Sequence, residues 1–191
     1  MNALIFTTGQ RIRDLRTSKG LTLKALASKI NTSPSLISQL ERGGVNPSLS
    51  LLKSIVEALA VPLSNLLEDE ENKAEAPSHL MDQKERKILT VEGGVRYSLL
   101  SRHLSMDCEF ILIEYPPRTS TGKEKYTHEG VECGLLLEGE LEVEVGDRIY
   151  HMKPGDSITY QSDTPHRTSN KVKKLARGVW VNSKPWMFST K

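Results

Sequence analysis

His128 and Glu132 stand four residues apart in THEGVECGLLLEGE, residues 127–140. An imidazole and a carboxylate that close can be half of a metal site, catalytic or sensory, or part of a pocket that hydrogen-bonds a small ligand. The two positions have the same parity, so on a strand they share a face. On a straight strand they would lie about 13 Å apart, at ~3.3 Å per residue. Ligands of one ion converge within a few ångströms, so the backbone has to bend between them, and Gly130 is the residue that permits a bend or bulge. Cys133 adjoins Glu132, points to the opposite face and makes a poor fourth ligand. With Cys108 it completes a pair too small for a disulfide framework or a thiolate zinc site, and both read as reduced thiols. His79, His103 and His151 have no partners at ligand spacing.

The elements around this stretch have a period of two. From about residue 88, RYSLLSR, EFILIEY, CGLLL, ELEVEV, RIYHM and ARGVWVN are short apolar runs bounded by Gly, Pro and Asp. Glu140, Glu142 and Glu144 alternate with Leu141, Val143 and Val145, as in a strand wet on one face. Glu138-Gly139 and Gly146-Asp147 read as hairpin turns. Many short strands at near-regular spacing predict a small antiparallel β-barrel or jelly roll.

Residues 1–67 have the helical period instead. Ile12, Leu15 and Arg16 mark a first helix that closes at Gly20. Thr22 caps a second helix with Leu23, Leu26, Ala27 and Ile30 as its stripe, and Asn31 makes a sharp turn. Ser33 caps a third helix that has Pro34 at its first position and ends at Gly43-Gly44. A fourth runs from about Ser48 to Ala60, and a short fifth follows Pro62.

Charge divides the chain the same way. Residues 1–67 carry eight Lys/Arg against Asp14, Glu41 and Glu57. Residues 68–87, containing EDEENKAEAPSH, carry seven acids against four bases and read as a solvated acidic linker. From residue 88 the signs balance at fourteen each. Only the first part is suited to a polyanion. With no apolar run of membrane-spanning length and no signal-peptide pattern, a cytoplasmic protein with no membrane partner is expected.

The run TSPSLISQLERGGVNPSLSLLKSI resembles the Cro/repressor-like, or Xre-type, DNA-binding domain over roughly residues 9–67. That resemblance implies a third helix in the major groove of double-stranded DNA, with Ser35, Ser38 and Gln39 at base edges. It places Thr32, Ser33, Arg42, Asn46 and, from the first helix, Arg11 in the same interface, chiefly at phosphates. Leu23 departs from the Gln that many relatives carry there, so one phosphate clamp is expected to be missing. The resemblance also implies that Arg16 and Glu41 pair inside the domain rather than contact DNA.

The remainder resembles the cupin superfamily. His128, Glu132 and Gly139 match the end of its first motif, and His166 with Asn170, after PGD at 154–156, matches the second. One histidine of the fuller motif is missing, with Tyr126 or Gly130 in its place. The resemblance leaves His128, Glu132 and His166, a two-His, one-carboxylate set with open coordination positions. These groups suit either a divalent metal (Fe, Zn, Ni or Mn) or a metal-free pocket. Asn170 is assigned to a wall or turn. Tyr97, Tyr126, Tyr160 and Trp180, with Glu132, are the candidate effector contacts, a lining suited to an amine.

The fold class expected is therefore α + β with two domains. A five-helix bundle with helix-turn-helix spans 1–67, an acidic linker 68–87, and a cupin-type small β-barrel or jelly roll 88–191. This order resembles cupin-type transcriptional regulators, among them repressors of polyamine utilisation, and implies a polyamine or amino-acid-like effector. The alternative is an enzyme: the fosfomycin epoxidase has the same domain order and a two-His, one-Glu iron site. The charge split and the well-formed third helix favour the regulator. A homodimer is expected, its two third helices reading half-sites one turn apart.

Overall fold

The computed structural model describes residues 3–66, 79–101 and 108–188. Its helices are α1 (Ala3–Ser18), α2 (Leu23–Lys29), α3 (Pro34–Glu41) and α4 (Leu49–Leu59). Side-chain oxygens cap three of them: Thr22 accepts from Ala25 N at 3.0 Å, Ser33 from Leu36 N at 3.1 Å and Ser48 from Leu51 N at 3.3 Å. Asn31, between α2 and α3, has φ +52°, the left-handed conformation that asparagine tolerates. Ile12, Leu26, Ala27, Ile37, Leu40 and Leu52 are buried between the helices. α1 crosses α3 closely at Gly9, where a Cβ would sit 2.2 Å from the Leu40 carbonyl oxygen. The expected fifth helix is instead a 3-10 turn, Leu63–Leu66. Four residues after Pro62 are too few to close more than one turn.

Among the described residues, ten strands form two antiparallel sheets. The first has the order β1 (Ile88–Thr90), β2 (Arg96–Leu99), β3 (Glu109–Tyr115), β10 (Ala176–Asn182), β5 (Val131–Glu138), β8 (Ser157–Gln161). The second has the order β4 (Thr119–Ser120), β9 (His166–Asn170), β6 (Leu141–Val145), β7 (Arg148–Met152). Alternation decides the faces: on β5, Glu132, Gly134 and Leu136 are buried, while Cys133, Leu135 and Leu137 are exposed. Trp180 of β10 needs the space of two glycines, since a Cβ on Gly134 or Gly178 would lie 2.4 or 2.3 Å from its ring.

Gly146-Asp147 joins two paired strands, with Val145 opposite Arg148. Glu138-Gly139 is not a hairpin, because β5 and β6 belong to different sheets. The chain turns a corner there instead. Gly139 has φ +79°, and a Cβ on it would meet the Leu175 carbonyl oxygen at 2.5 Å.

The helical and strand modules touch at the N-terminal end of α4. Glu92 N donates to Pro47 O at 2.8 Å and Leu49 N to Thr121 O at 3.4 Å. Lys53 Nζ donates to the carbonyl oxygen of Thr127. Most of the expected acidic linker, 68–78, lies outside the described residues, as does His103. Among the described residues no helix is long and apolar enough to cross a membrane.

Candidate functional site

The bend expected at Gly130 is present. His128 precedes β5, Gly130 has φ +99°, and a Cβ there would lie 2.9 Å from the Lys184 side chain. Main-chain bonds hold the loop to the end of β8, from His128 N to Ser162 O at 2.9 Å and from Ser162 N to Gly130 O at 2.9 Å. His166 enters from the second sheet, and Tyr126 exchanges two 3.0 Å backbone bonds with it. The chain thus folds two histidines from distant segments onto one carboxylate.

His128 Nε2 is 2.6 Å from Glu132 Oε1. His166 Nε2 is 3.2 Å from the same oxygen, buried and without a hydrogen-bond partner among the described residues. One donor atom from each residue lies within 4.8 Å of the others, and all three residues are buried. Tyr160 donates to the second carboxylate oxygen at 2.7 Å.

The far side of each ring is informative. His128 Nδ1 is 3.1 Å from Glu129 O, and His166 Nδ1 is 2.8 Å from Thr164 O. A carbonyl only accepts, so each Nδ1 carries a proton. In the neutral ring each Nε2 then presents a lone pair toward Glu132, next to an oxygen that is also an acceptor. A cation at that point resolves the conflict, and an outer hydrogen bond from Nδ1 to a carbonyl is the usual support of a metal-bound histidine. The donor set therefore fits a divalent ion. Burial pushes the Glu132 carboxyl up, but hydrogen bonds and positive charge from the two imidazoles when they are protonated at Nε2 pull harder and hold it at about 2; a cation among the three groups acts in the same direction. Burial, with negative neighbours adding to it, raises the hydroxyls of Tyr97, Tyr126 and Tyr160 well above their ordinary value, so they stay protonated.

The aromatic residues gather here too. Tyr126 lies edge-on to His166 at 4.4 Å and Tyr160 is 5.1 Å from the same ring. Tyr97 is buried and Trp180 lies deeper, edge-on to Tyr115 at 6.5 Å. Trp186, which no spacing argument singles out, stacks on His128 at 4.6 Å. The only sequence signal for it is an apolar WMF after Pro185. Asn170 binds no site group: its amide donates to Tyr115 O at 2.9 Å and Lys174 O at 2.7 Å, holding a turn. Cys133 is exposed on the outer face.

In the helical module Ser35 and Gln39 are exposed along α3, as are Ser33 at its N-terminal cap and Arg42 at its C-terminal cap. Thr32, Ser38, Asn46 and Arg11 are partly exposed. Arg16 and Glu41 form the expected internal pair, Nε to Oε1 at 2.6 Å and Nη2 to Oε2 at 2.9 Å, and Arg16 Nη1 also donates to Leu21 O at 2.6 Å.

A capped helix-turn-helix on a basic module, touching a two-sheet module with a buried polar site, defines a DNA-binding protein with a sensor domain. The Helix-turn-helix family (HTH_3) matches residues 12–66 and the Cupin domain family (Cupin_2) residues 111–182. The chain is 27% identical over 169 residues to the HTH-type transcriptional regulator PuuR of Escherichia coli, covering 88% of this chain and 90% of PuuR. It is 35% identical over 81 residues to the HTH-type transcriptional regulator SinR of Bacillus subtilis, covering 42% of this chain and 72% of SinR. A crystal structure of an HTH_3 family transcriptional regulator from Vibrio cholerae shares the fold, with TM-score 0.61 and 21% identity over 96% of this chain and 99% of that one. The chain belongs to the helix-turn-helix transcriptional regulators of the HTH_3 type and carries a cupin domain. It is a DNA-binding regulator with a cupin sensor. The similarity to PuuR along most of both chains goes against the epoxidase alternative.

Proposed function

We propose that residues 1–67 bind an operator, that 68–87 connect, and that 88–191 form a cupin barrel sensing a small amine or amino-acid-like effector. Ser35, Ser38 and Gln39 face the bases; Arg11, Thr32, Ser33, Arg42 and Asn46 hold the backbone. The exposure of Ser35, Gln39 and Arg42 on a capped helix supports this assignment. One chain carries one such helix, so a homodimer reads two half-sites about 34 Å apart.

In the sensor, His128, Glu132 and His166 hold a divalent metal, one of Fe, Zn, Ni or Mn. The observation that carries this reading is the pair of Nδ1–carbonyl contacts, which turn both Nε2 lone pairs onto Glu132. A bound divalent ion supplies a Lewis-acid position for an amine or carboxylate. Tyr160 orients Glu132 through its second oxygen, and Tyr97, Tyr126, Trp180 and Trp186 give the effector an apolar, π-rich wall. The contact of α4 with Thr121 and Thr127 supports transmission from sensor to operator.

The test is fluorescence anisotropy of the full chain on its own upstream DNA, over a salt series, with and without divalent metals, diamines and amino acids. Specific binding at nanomolar concentration that weakens steeply with salt and shifts with one effector is expected. No binding at moderate salt under any condition refutes the operator reading. Binding that no effector alters refutes the sensing role.

A further inference from the structure

The outer face of the six-stranded sheet carries a second polar cleft, on the opposite side of the strands from the His–Glu–His site. On β3, Ile111 and Ile113 point inward, while Leu112 and Glu114 point outward into this cleft of about 840 Å³. Its floor is Ile88 and Leu112, and its rim is the 3-10 turn Gln83–Glu85 with the residues beside it.

The charges on its walls are unequal. Lys84 and Arg86 come from the turn segment, and Arg96 and Arg177 from β2 and β10, against Asp82 and Glu114. Arg96 and Arg177 flank Glu114 on one rung of the sheet and share its carboxylate, at 3.8 and 3.1 Å. Arg177 Nη1 also lies 3.9 Å from Glu138 Oε2, but neither carboxylate takes up its Nε. Arg177 Nε and Arg86 Nε are both buried and find no acceptor among the described residues. An unsatisfied buried donor on a charged group is expensive, and such groups normally meet an ion, a ligand or a water. Two of them in one cleft, from segments on its two sides, make a pair of charge-assisted donors. Guanidinium N–H groups match the oxygens of carboxylates and phosphates.

We propose that this cleft binds a small metabolite through a carboxylate or phosphate group accepted between the Nε–H groups of Arg86 and Arg177. Lys84 and Arg96 supply further positive charge, and Ile88 and Leu112 an apolar floor for the rest of the molecule. Bound there, the anion ties the turn before β1 to β10. The site is independent of the metal and effector reading, since none of its residues reaches the inner pocket.

Isothermal titration calorimetry of the full chain at low ionic strength tests this, with succinate and inorganic phosphate as probes. Binding of at least one probe is expected, at one per chain and with Kd near or below about 1 mM. Arg86→Gln and Arg177→Gln each weaken it about tenfold or more, as loss of a charged hydrogen bond requires. Lys173→Gln, which removes an exposed charge elsewhere on the cupin domain, leaves it unchanged. Succinate alone binding identifies a carboxylate ligand, phosphate alone a phosphorylated one. Saturation also slows amide exchange in residues 82–86. Should Arg177→Gln lower thermal stability through loss of its Glu114 pair, Arg86→Gln decides alone. The proposal is overturned when neither probe binds, or when binding persists in Arg86→Gln, which would place the anion elsewhere, such as on the basic helical module.

Discussion

The ammonium group of Lys53, on α4 of the DNA-binding module, donates to the main-chain carbonyl of Thr127, the residue immediately before His128. With Glu92 N on Pro47 O and Leu49 N on Thr121 O, it joins the two modules by direct contact. Coupling through the acidic linker alone is therefore not needed. A shift of the 127–130 loop would act on α4 without an intermediate.

Lys53→Met tests that route. A hydrogen bond to a charged donor is worth about 1.5–3 kcal/mol, less here because Lys53 is part-exposed, so the effector-induced change in operator affinity should shrink about fivefold. Effector affinity without DNA should stay the same. Anisotropy with saturating effector, mutant against parent, reads the difference. An unchanged coupling factor would remove Lys53 from the route.

Arg16 and Glu41 are a stability pair. Arg16→Ala leaves the Glu41 carboxylate buried without its partner and should destabilise the helical module by about 3–5 kcal/mol. Arg16→Met with Glu41→Leu, which removes both charges, should recover most of that. Urea unfolding followed by far-ultraviolet circular dichroism measures both. Stability of Arg16→Ala equal to the parent, with DNA affinity lost, would mean that Arg16 contacts DNA after all.

Gln39 on α3 and Arg42 at its C-terminal cap should fail differently. Arg42→Ala weakens binding to every sequence and lowers the log–log salt slope by about one. Gln39→Ala costs about 1–3 kcal/mol at one base position and leaves the slope alone. Salt titrations on operator and scrambled DNA separate the two.

The metal reading predicts that protein supplied with divalent ions retains about one per chain after dialysis, and that His128→Ala or His166→Ala retains none. Tyr160→Phe keeps the three ligands but frees Glu132 to rotate, and should weaken metal affinity about 10- to 100-fold. Elemental analysis and competition with a chelator give the readouts. Equal metal content in parent and His128→Ala would leave the metal-free pocket as the reading.

Glu109 gives a pH signature away from the site. Burial raises its carboxyl, while the amides of Phe188 and Met187, at 2.5 and 2.8 Å, and the Asn182 side chain at 3.3 Å oppose the rise. The folded state therefore favours the protonated form. Its contribution to stability is full below the ordinary carboxylate range and is lost as pH rises through the raised value. Glu109→Gln stays neutral and can still accept from both amides, so it should flatten that loss. Denaturant unfolding from pH 4 to 8 compares the two, and parallel curves would show that Glu109 titrates alike in both states.

Much of this was legible in local sequence. Thr22, Ser33 and Ser48 cap their helices, and Pro34 opens α3, because capping depends on neighbours three residues away. The bend between His128 and Glu132 could be inferred from Gly130, since two ligands of like parity cannot meet on a straight strand. The apolar spacing at Leu63–Leu66 suits a helix and a 3-10 turn equally, and length decides for the turn.

Other features have no local trace. Sequence alone determined a basic capped helix pair and a strand module bearing a bent His–Glu segment, since backbone preference and the alternation of side chains are written within a few neighbouring residues. Only the tertiary structure decided that Trp186 covers His128, that Glu138-Gly139 crosses between sheets, and that Lys53 reaches Thr127, seventy-four residues on. Those contacts join segments far apart in the chain. Their energy comes from shared burial after the sheets close, which no window of sequence contains.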